Sequence, residues 1–144
     1  MTVIAWDGKT LAADRQMTWA DMRSTVNKLR QLPNGEVLAV TGDSARAVAV
    51  LRWYEEGADP EKWPKCQTET DYARLIVARH GGRLVYFDWL PMEQQIIDPF
   101  MAFGAGRDFA MGALAMGADA KKAVGIACRF SVGCGLGIDS FEIL

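Results

Sequence analysis

Near the start of the chain, two short apolar runs at residues 3–6 and 10–13 flank Asp7-Gly8. Asp-Gly between apolar runs is a strong hairpin signal, because a tight turn of this kind fixes two strands antiparallel. Residue 2 and residue 14 then come to lie at the same end of the hairpin. Those residues are Thr2 and Asp14.

The segments that follow carry a mixed pattern. A polar, turn-rich stretch surrounds Asp21 and Ser24, and residues 25–32 alternate well enough to predict a strand with Val26 and Lys28 on one face. A lysine that faces inward is costly unless paired, so Asp14 is its natural counter-ion; for the two residues alone, a solvated surface pair is the commoner arrangement. Pro33-Asn34-Gly35 turns the chain into an apolar strand at 37–41, which Gly42 ends. Asp43-Ser44 can cap a helix that runs through Val48, Leu51 and Tyr54 until Gly57. Residues 55–67, with Pro60, Trp63 and Pro64, read as a loop.

Residues 72–78 and 83–89 predict a second hairpin about His80-Gly81-Gly82, and 68–71 can start a helix. Residues 96–103 predict one more strand, with Pro99 marking an edge or bulge. From Gly106 the period becomes helical. Phe109, Met111, Ala113, Leu114 and Met116 suit one packed helix, and after the break at Gly117-Ala118-Asp119, residues 120–130 predict another with Val124, Ile126 and Ala127 inward. Both helices are expected to cover a sheet.

At 144 residues and 50% hydrophobic, the chain suits a single domain over residues 1–144. A formal net charge of −2 provides no basic field for a phosphate backbone, and no apolar stretch reaches the ~18 residues of a membrane span. Neither nucleic acid nor membrane is expected as a partner. Asp7, Lys9 and Asp14 interrupt any apolar core of a signal peptide, so a cytoplasmic protein is expected. Cys66, Cys128 and Cys134 are odd in number and show no paired zinc spacing, which points to reduced thiols.

Thr2 carries the chemistry. A hydroxyl is a weak nucleophile, but a threonine at a processed chain start has its own base in the freed α-amine, whose ordinary pKa is about 7.7–8.0. Removing Met1 would create that pair. Rival motifs are weaker: Cys134 and the lone His80 have no evident orienting partner, and Gly104-Ala105-Gly106 fails as a dinucleotide fingerprint because Phe109 stands at the third glycine position.

Thr2-Val3-Ile4-Ala5, Leu11-Ala12-Ala13-Asp14-Arg15, Asn27-Lys28-Leu29, Val40-Thr41-Gly42-Asp43 and Phe103-Gly104-Ala105-Gly106 before an alanine-rich helix occur in one order along nearly the whole chain. In that order they resemble the proteasome β-subunit and HslV peptidases of the N-terminal nucleophile (Ntn) hydrolase family, in the compact form of HslV-like phage proteins. The resemblance implies an α+β fold, a four-layer αββα sandwich of two antiparallel sheets, and a threonine peptidase that cleaves peptide or amide bonds without metal or organic cofactor. It implies Thr2 as nucleophile, flanked by Asp14 and Lys28, with the Gly42 N–H as oxyanion donor. It also implies a homo-oligomeric ring, while leaving an ATPase unfoldase partner open.

Three accessory positions depart from the family pattern. Ala105 replaces the serine of Gly-Ser-Gly, Ser131 falls where an orienting aspartate is usual, and Cys134 where a further site serine often lies. Ala105 and Ser131 motivate one alternative, a non-catalytic, proteasome-like assembly protein; a second, an Ntn amidase acting on a small molecule, could be served by the same threonine.

Overall fold

The computed structural model describes residues 1–66 and 68–143. The predicted first hairpin is formed by β1 (Val3–Trp6) and β2 (Thr10–Asp14) in the register Ile4 to Ala13. Asp7 pins its turn and ties it to a distant helix. One carboxylate oxygen accepts from the N–H groups of Lys9 and Thr10, and the other from Ala120 N at 2.9 Å.

Two strands from the end of the chain complete this first sheet. β10 (Met101–Gly104) lies against β1 and β11 (Ile138–Glu142) against β2, so the order is β10-β1-β2-β11, antiparallel throughout. The second sheet runs β5 (Leu29–Gln31), β6 (Val37–Gly42), β7 (Ala73–Arg79), β8 (Arg83–Phe87) and β9 (Gln94–Ile96) in sequence order, again antiparallel. A separate ribbon, β3 (Gln16–Trp19) with β4 (Met22–Thr25), projects from the end of β2.

Side chains alternate across a strand, and both faces of β1 are buried. Ile4 and Trp6 join Leu11 and Ala13 against Val37, Ala39, Ile76 and Leu84 of the other sheet. Val3 and Ala5 turn the opposite way, with Ala12 and Ala102, toward helices α2 (Arg107–Ala115) and α3 (Ala120–Phe130). That layer is built from Ala110, Ala120, Ala123 and Ala127, small residues that let helix and sheet approach closely. On the far side, α1 (Ser44–Glu55) lays Val50 and Trp53 over Leu38, Leu75, Val77 and Val85. Trp63, from the loop after α1, packs edge-on against Trp53 with ring centres 4.6 Å apart and extends this outer layer. Helices, sheet, sheet and helix make the expected four-layer αββα sandwich of the α+β class, with both sheets open.

Several local expectations are corrected. The polar stretch about Asp21 and Ser24 forms the β3–β4 ribbon, with Ala20 at positive φ in its turn. Residues 25–32 are not one strand, since only Leu29–Gln31 pairs with β6. Residues 96–103 divide between sheets: Ile96 ends β9 in one and Met101 begins β10 in the other, with Pro99 in the crossing. Residues 68–71 contain a single 3-10 turn, Glu69–Asp71, and Gln67 lies outside the described residues. Among the residues expected inside α2 and α3, Phe109, Met116 and Ile126 are exposed. The close helix–sheet spacing takes alanines and Leu114 there instead.

Candidate active site

The leading end of β1 brings Thr2 beside Asp14 at the end of β2 and Lys28 in the connection between β4 and β5. Lys28 Nζ lies 3.1 Å from Thr2 Oγ1, 2.8 Å from Asp14 Oδ1 and 2.9 Å from the Met1 carbonyl oxygen. An ammonium has three N–H groups, and each finds an acceptor here. Because Lys28 donates to Thr2 Oγ1, the hydroxyl's own proton is directed elsewhere.

Asp14 is fully buried, and the Lys28 side chain is 8% exposed. Four donors converge on that carboxylate. Lys28 Nζ and Val3 N reach Oδ1, while Gln16 N at 3.2 Å and Gly135 N at 3.1 Å reach Oδ2. A buried carboxylate is stable only with such pairing, so the solvated-pair alternative does not describe these two residues. Arg15 N also donates to Gly135 O, and β11 follows directly against β2.

The glycines near Thr2 stand where backbone passes too close for a side chain. Gly42 has φ +105, and a Cβ there would lie 2.3 Å from the Tyr72 carbonyl oxygen. Gly104 has φ +92, and its Cβ would lie 2.2 Å from the Thr2 carbonyl oxygen. Gly106 N donates to that same carbonyl at 3.2 Å, so the Gly104-Ala105-Gly106 turn fixes the Thr2 backbone. Asp43 caps α1, its carboxylate accepting from Arg46 N at 2.8 Å.

Two cavities meet at Thr2 and Gly42. One, of about 480 Å³, is lined by Thr41, Tyr72, Arg74, Phe103, Ala105 and Arg107. The other, of about 420 Å³, has apolar walls from Met17, Val26, Val40, Val48 and Leu51, with Lys28 and Arg30 at its edge. Met1 borders both, and its side chain lies over Gly133, where a Cβ would meet the Met1 sulfur.

The accessory positions separate. Ala105 presents a methyl group to the larger cavity. Ser131 caps the C-terminus of α3, with its N–H on the Ala127 carbonyl. Cys134 is buried in the core between the first sheet and the helices. Burial raises its thiol pKa; the Asp14 charge adds to this, while the Ser131 hydrogen bond, Lys28 and the chain amine act against it. Burial likewise pushes Cys128 up to about 11, with Asp14 and Cys134 adding to the shift and Lys28 opposing it. Both are poor thiolates. His80 borders neither cavity, and its Nε2 lies 2.7 Å from Asn34 O.

Sequence reasoning missed Gln16, Gly135, Arg74 and Arg107. Gln16 is buried and donates from Nε2 to the Val132 carbonyl at 3.1 Å, tying the β3 ribbon to the loop before β11. Its position two residues after Asp14 was the available signal. The arginines gave none, because the pairing of β7 with β6 and the turn after β10 place them.

No family model and no curated protein matches the sequence. Solved structures do match over nearly the whole chain. The Thiobacillus denitrificans BPH structure in complex with epoxomicin has TM-score 0.70 and 19% identity, covering 100% of both chains. HslV from Trypanosoma brucei has TM-score 0.68 and 21% identity, covering 98% of this chain and 97% of its own. Anbu, an ancestral β-subunit from Yersinia bercovieri, has TM-score 0.70 and 15% identity over 99% of this chain and 81% of its own. The chain therefore has the Ntn-hydrolase fold of HslV and Anbu, with Thr2 at the head of its first strand.

Proposed function

We propose that the protein is a threonine-type N-terminal nucleophile hydrolase that cleaves peptide or amide bonds once Met1 is removed. The observation that carries this reading is the placement of one ammonium, Lys28, within hydrogen-bond distance of both a buried carboxylate and the Thr2 hydroxyl. Loss of Met1 takes away one of the three Lys28 acceptors and leaves Asp14 and Thr2 Oγ1. It also frees the α-amine of Thr2 as the base.

Thr2 Oγ1 attacks the substrate carbonyl carbon while its proton passes to the α-amine, directly or through a water. The nearby positive charge of Lys28 favours the neutral amine and stabilises the developing alkoxide. The Gly42 N–H donates to the tetrahedral oxyanion, a task suited to a backbone group already fixed in position. The C–N bond then breaks, the leaving nitrogen takes the proton from the amine, and water attacks the ester to release acid and free Thr2. The cavity walled by Met17, Val40, Val48 and Leu51 suits an apolar substrate side chain.

Exposed Phe109 and Phe130, stacked at 5.8 Å on the outer face of α2 and α3, support packing of these helices against further copies in a closed ring. The Ala105 methyl at the larger cavity favours one rival reading, a proteasome-like assembly protein without turnover. Intact mass and covalent labelling separate the two. The hydrolase loses Met1 and is modified on Thr2 by an epoxyketone or β-lactone, and Thr2→Ala abolishes the adduct. Complete Met1 removal with no adduct from probes of several sizes establishes the rival.

A further inference from the structure

The larger cavity beside Thr2 has a charge that the hydrolytic steps do not use. Arg74 and Arg107 line it, and no aspartate or glutamate does. Arg74 is held by rings: its guanidinium carbon is 4.8 Å from the Tyr86 ring centre and 5.9 Å from those of Tyr72 and Phe103. Ring faces position a cation without giving its N–H groups an in-plane oxygen. Asp88 stands 4.0 Å from Arg74, beyond hydrogen-bond distance. Arg74 Nε is buried without a hydrogen-bond partner among the described residues. Arg107, in the first turn of α2, donates from Nη1 to the Gly104 carbonyl at 3.1 Å; its nearest carboxylate, the exposed Asp108, stands 4.0 Å from Nε, again beyond hydrogen-bond distance, and the Arg107 side chain is itself largely exposed. In the opposite cavity, by contrast, Lys28 is paired with Asp14 and Arg30 with Glu55.

We propose that the larger cavity selects a substrate carboxylate, on the side of the scissile bond opposite the residue that fills the apolar cavity. Arg74 and Arg107 are the specificity-determining residues, because a planar guanidinium fork matches the two oxygens of a carboxylate. The proposal rests on the hydrolase reading, since it lays one substrate across Thr2 through both cavities. An aspartate or glutamate side chain and the terminal carboxylate of a short peptide offer the same oxygens.

Binding to the Thr2→Ala protein, checked by mass for loss of Met1, tests this without turnover. One peptide pair carries a central leucine flanked on both sides by glutamate or by glutamine; a second pair ends one residue after the leucine, in an alanine with a free acid or an amide. The acidic member of at least one pair binds about tenfold or more tighter than its neutral twin, and Arg74→Met and Arg107→Gln each reduce that preference without weakening the neutral peptide. The first pair reports a side-chain carboxylate and the second a terminal one. Arg107→Gln alters an exposed side chain, so it remains informative should Arg74→Met fail to fold. Equal affinities in both pairs, no binding of any peptide, or a preference that survives Arg107→Gln undiminished overturns the proposal. Acid preference in a wild-type protein that cleaves none of the peptides overturns the hydrolase reading alone; cleavage without acid preference overturns this proposal alone.

Discussion

Asp14→Ala removes one acceptor from four donors at once: Lys28 Nζ, Val3 N, Gln16 N and Gly135 N. Removing one partner of a buried ion pair costs about 3–5 kcal/mol, and each stranded buried N–H costs about 1–3 kcal/mol more where no water reaches it. The site is not sealed, because Lys28 keeps 8% of its side chain exposed, so partial hydration limits the sum. A loss of about 4–6 kcal/mol is expected, a large part of the 5–15 kcal/mol that holds a typical domain together. At roughly 2–4 °C per kcal/mol for a chain of this size, the Tm falls by about 10–20 °C. Lys28→Ala leaves the carboxylate with three backbone N–H donors and a cavity that water can enter, so its Tm falls by less than half as much. Hydrolysis responds in a different order: loss of the Lys28 charge beside Thr2 Oγ1 lowers the rate by about 10²–10³-fold despite the modest change in Tm. Thermal unfolding by circular dichroism and cleavage of a quenched-fluorescence peptide are measured on the same two variants. A Lys28→Ala protein that cleaves at the wild-type rate refutes the mechanism, and an Asp14→Ala protein that melts within a few degrees of wild type refutes the account of how the site is held.

Gly42→Ala places a methyl 2.3 Å from the Tyr72 carbonyl at φ +105, so the β6–α1 turn must shift; a loss of about 1–3 kcal/mol in unfolding and near-complete loss of hydrolysis are expected. Cys128 and Cys134 resist iodoacetamide at pH 8 in the native protein and react on unfolding, a difference that mass spectrometry reads directly. The same raised thiol pKa values mean that their stabilising share is complete below about pH 8.5 and fades as the pH rises toward 11, so denaturant midpoints should decline over that alkaline range. Sedimentation at micromolar concentration should show a large closed assembly, and Phe130→Asp on the exposed α3 face should break it into smaller species; a clean wild-type monomer removes the ring.

The parts that local chemistry determines were legible in the chain. Asp7-Gly8 announced its hairpin, Asp43 its helix, and the alternation read at 72–78 and 83–89 the strand pair that forms at Ala73–Arg79 and Arg83–Phe87. The long-range parts were not. β11 is an edge strand of mixed polarity, Ile138 to Glu142, whose identity comes from pairing with β2 rather than from its own pattern. The run at 96–103 looks like one strand because periodicity reports burial and cannot report which sheet does the burying. Phe109 misled by its size, since the tight helix–sheet gap admits Ala110 and turns the ring outward onto Phe130. Thr2, Asp14 and Lys28 could be named from their order along the chain. The Gly135 N–H could not, because a backbone donor leaves no mark in residue type.

The Gly135 bond to Asp14 joins the first strands of the chain to its last segment. Synthesis proceeds from the amino end, so a ribosome-bound chain can expose Thr2 well before the Asp14 carboxylate has its fourth donor or β2 its β11 neighbour. The buried Asp14 cluster is therefore completed only once Gly135 and β11 have been made. A stop codon before Gly135 would leave Thr2, Asp14, Lys28 and Gly42 all encoded while withholding one of the four donors on Asp14 and the strand that pairs with β2.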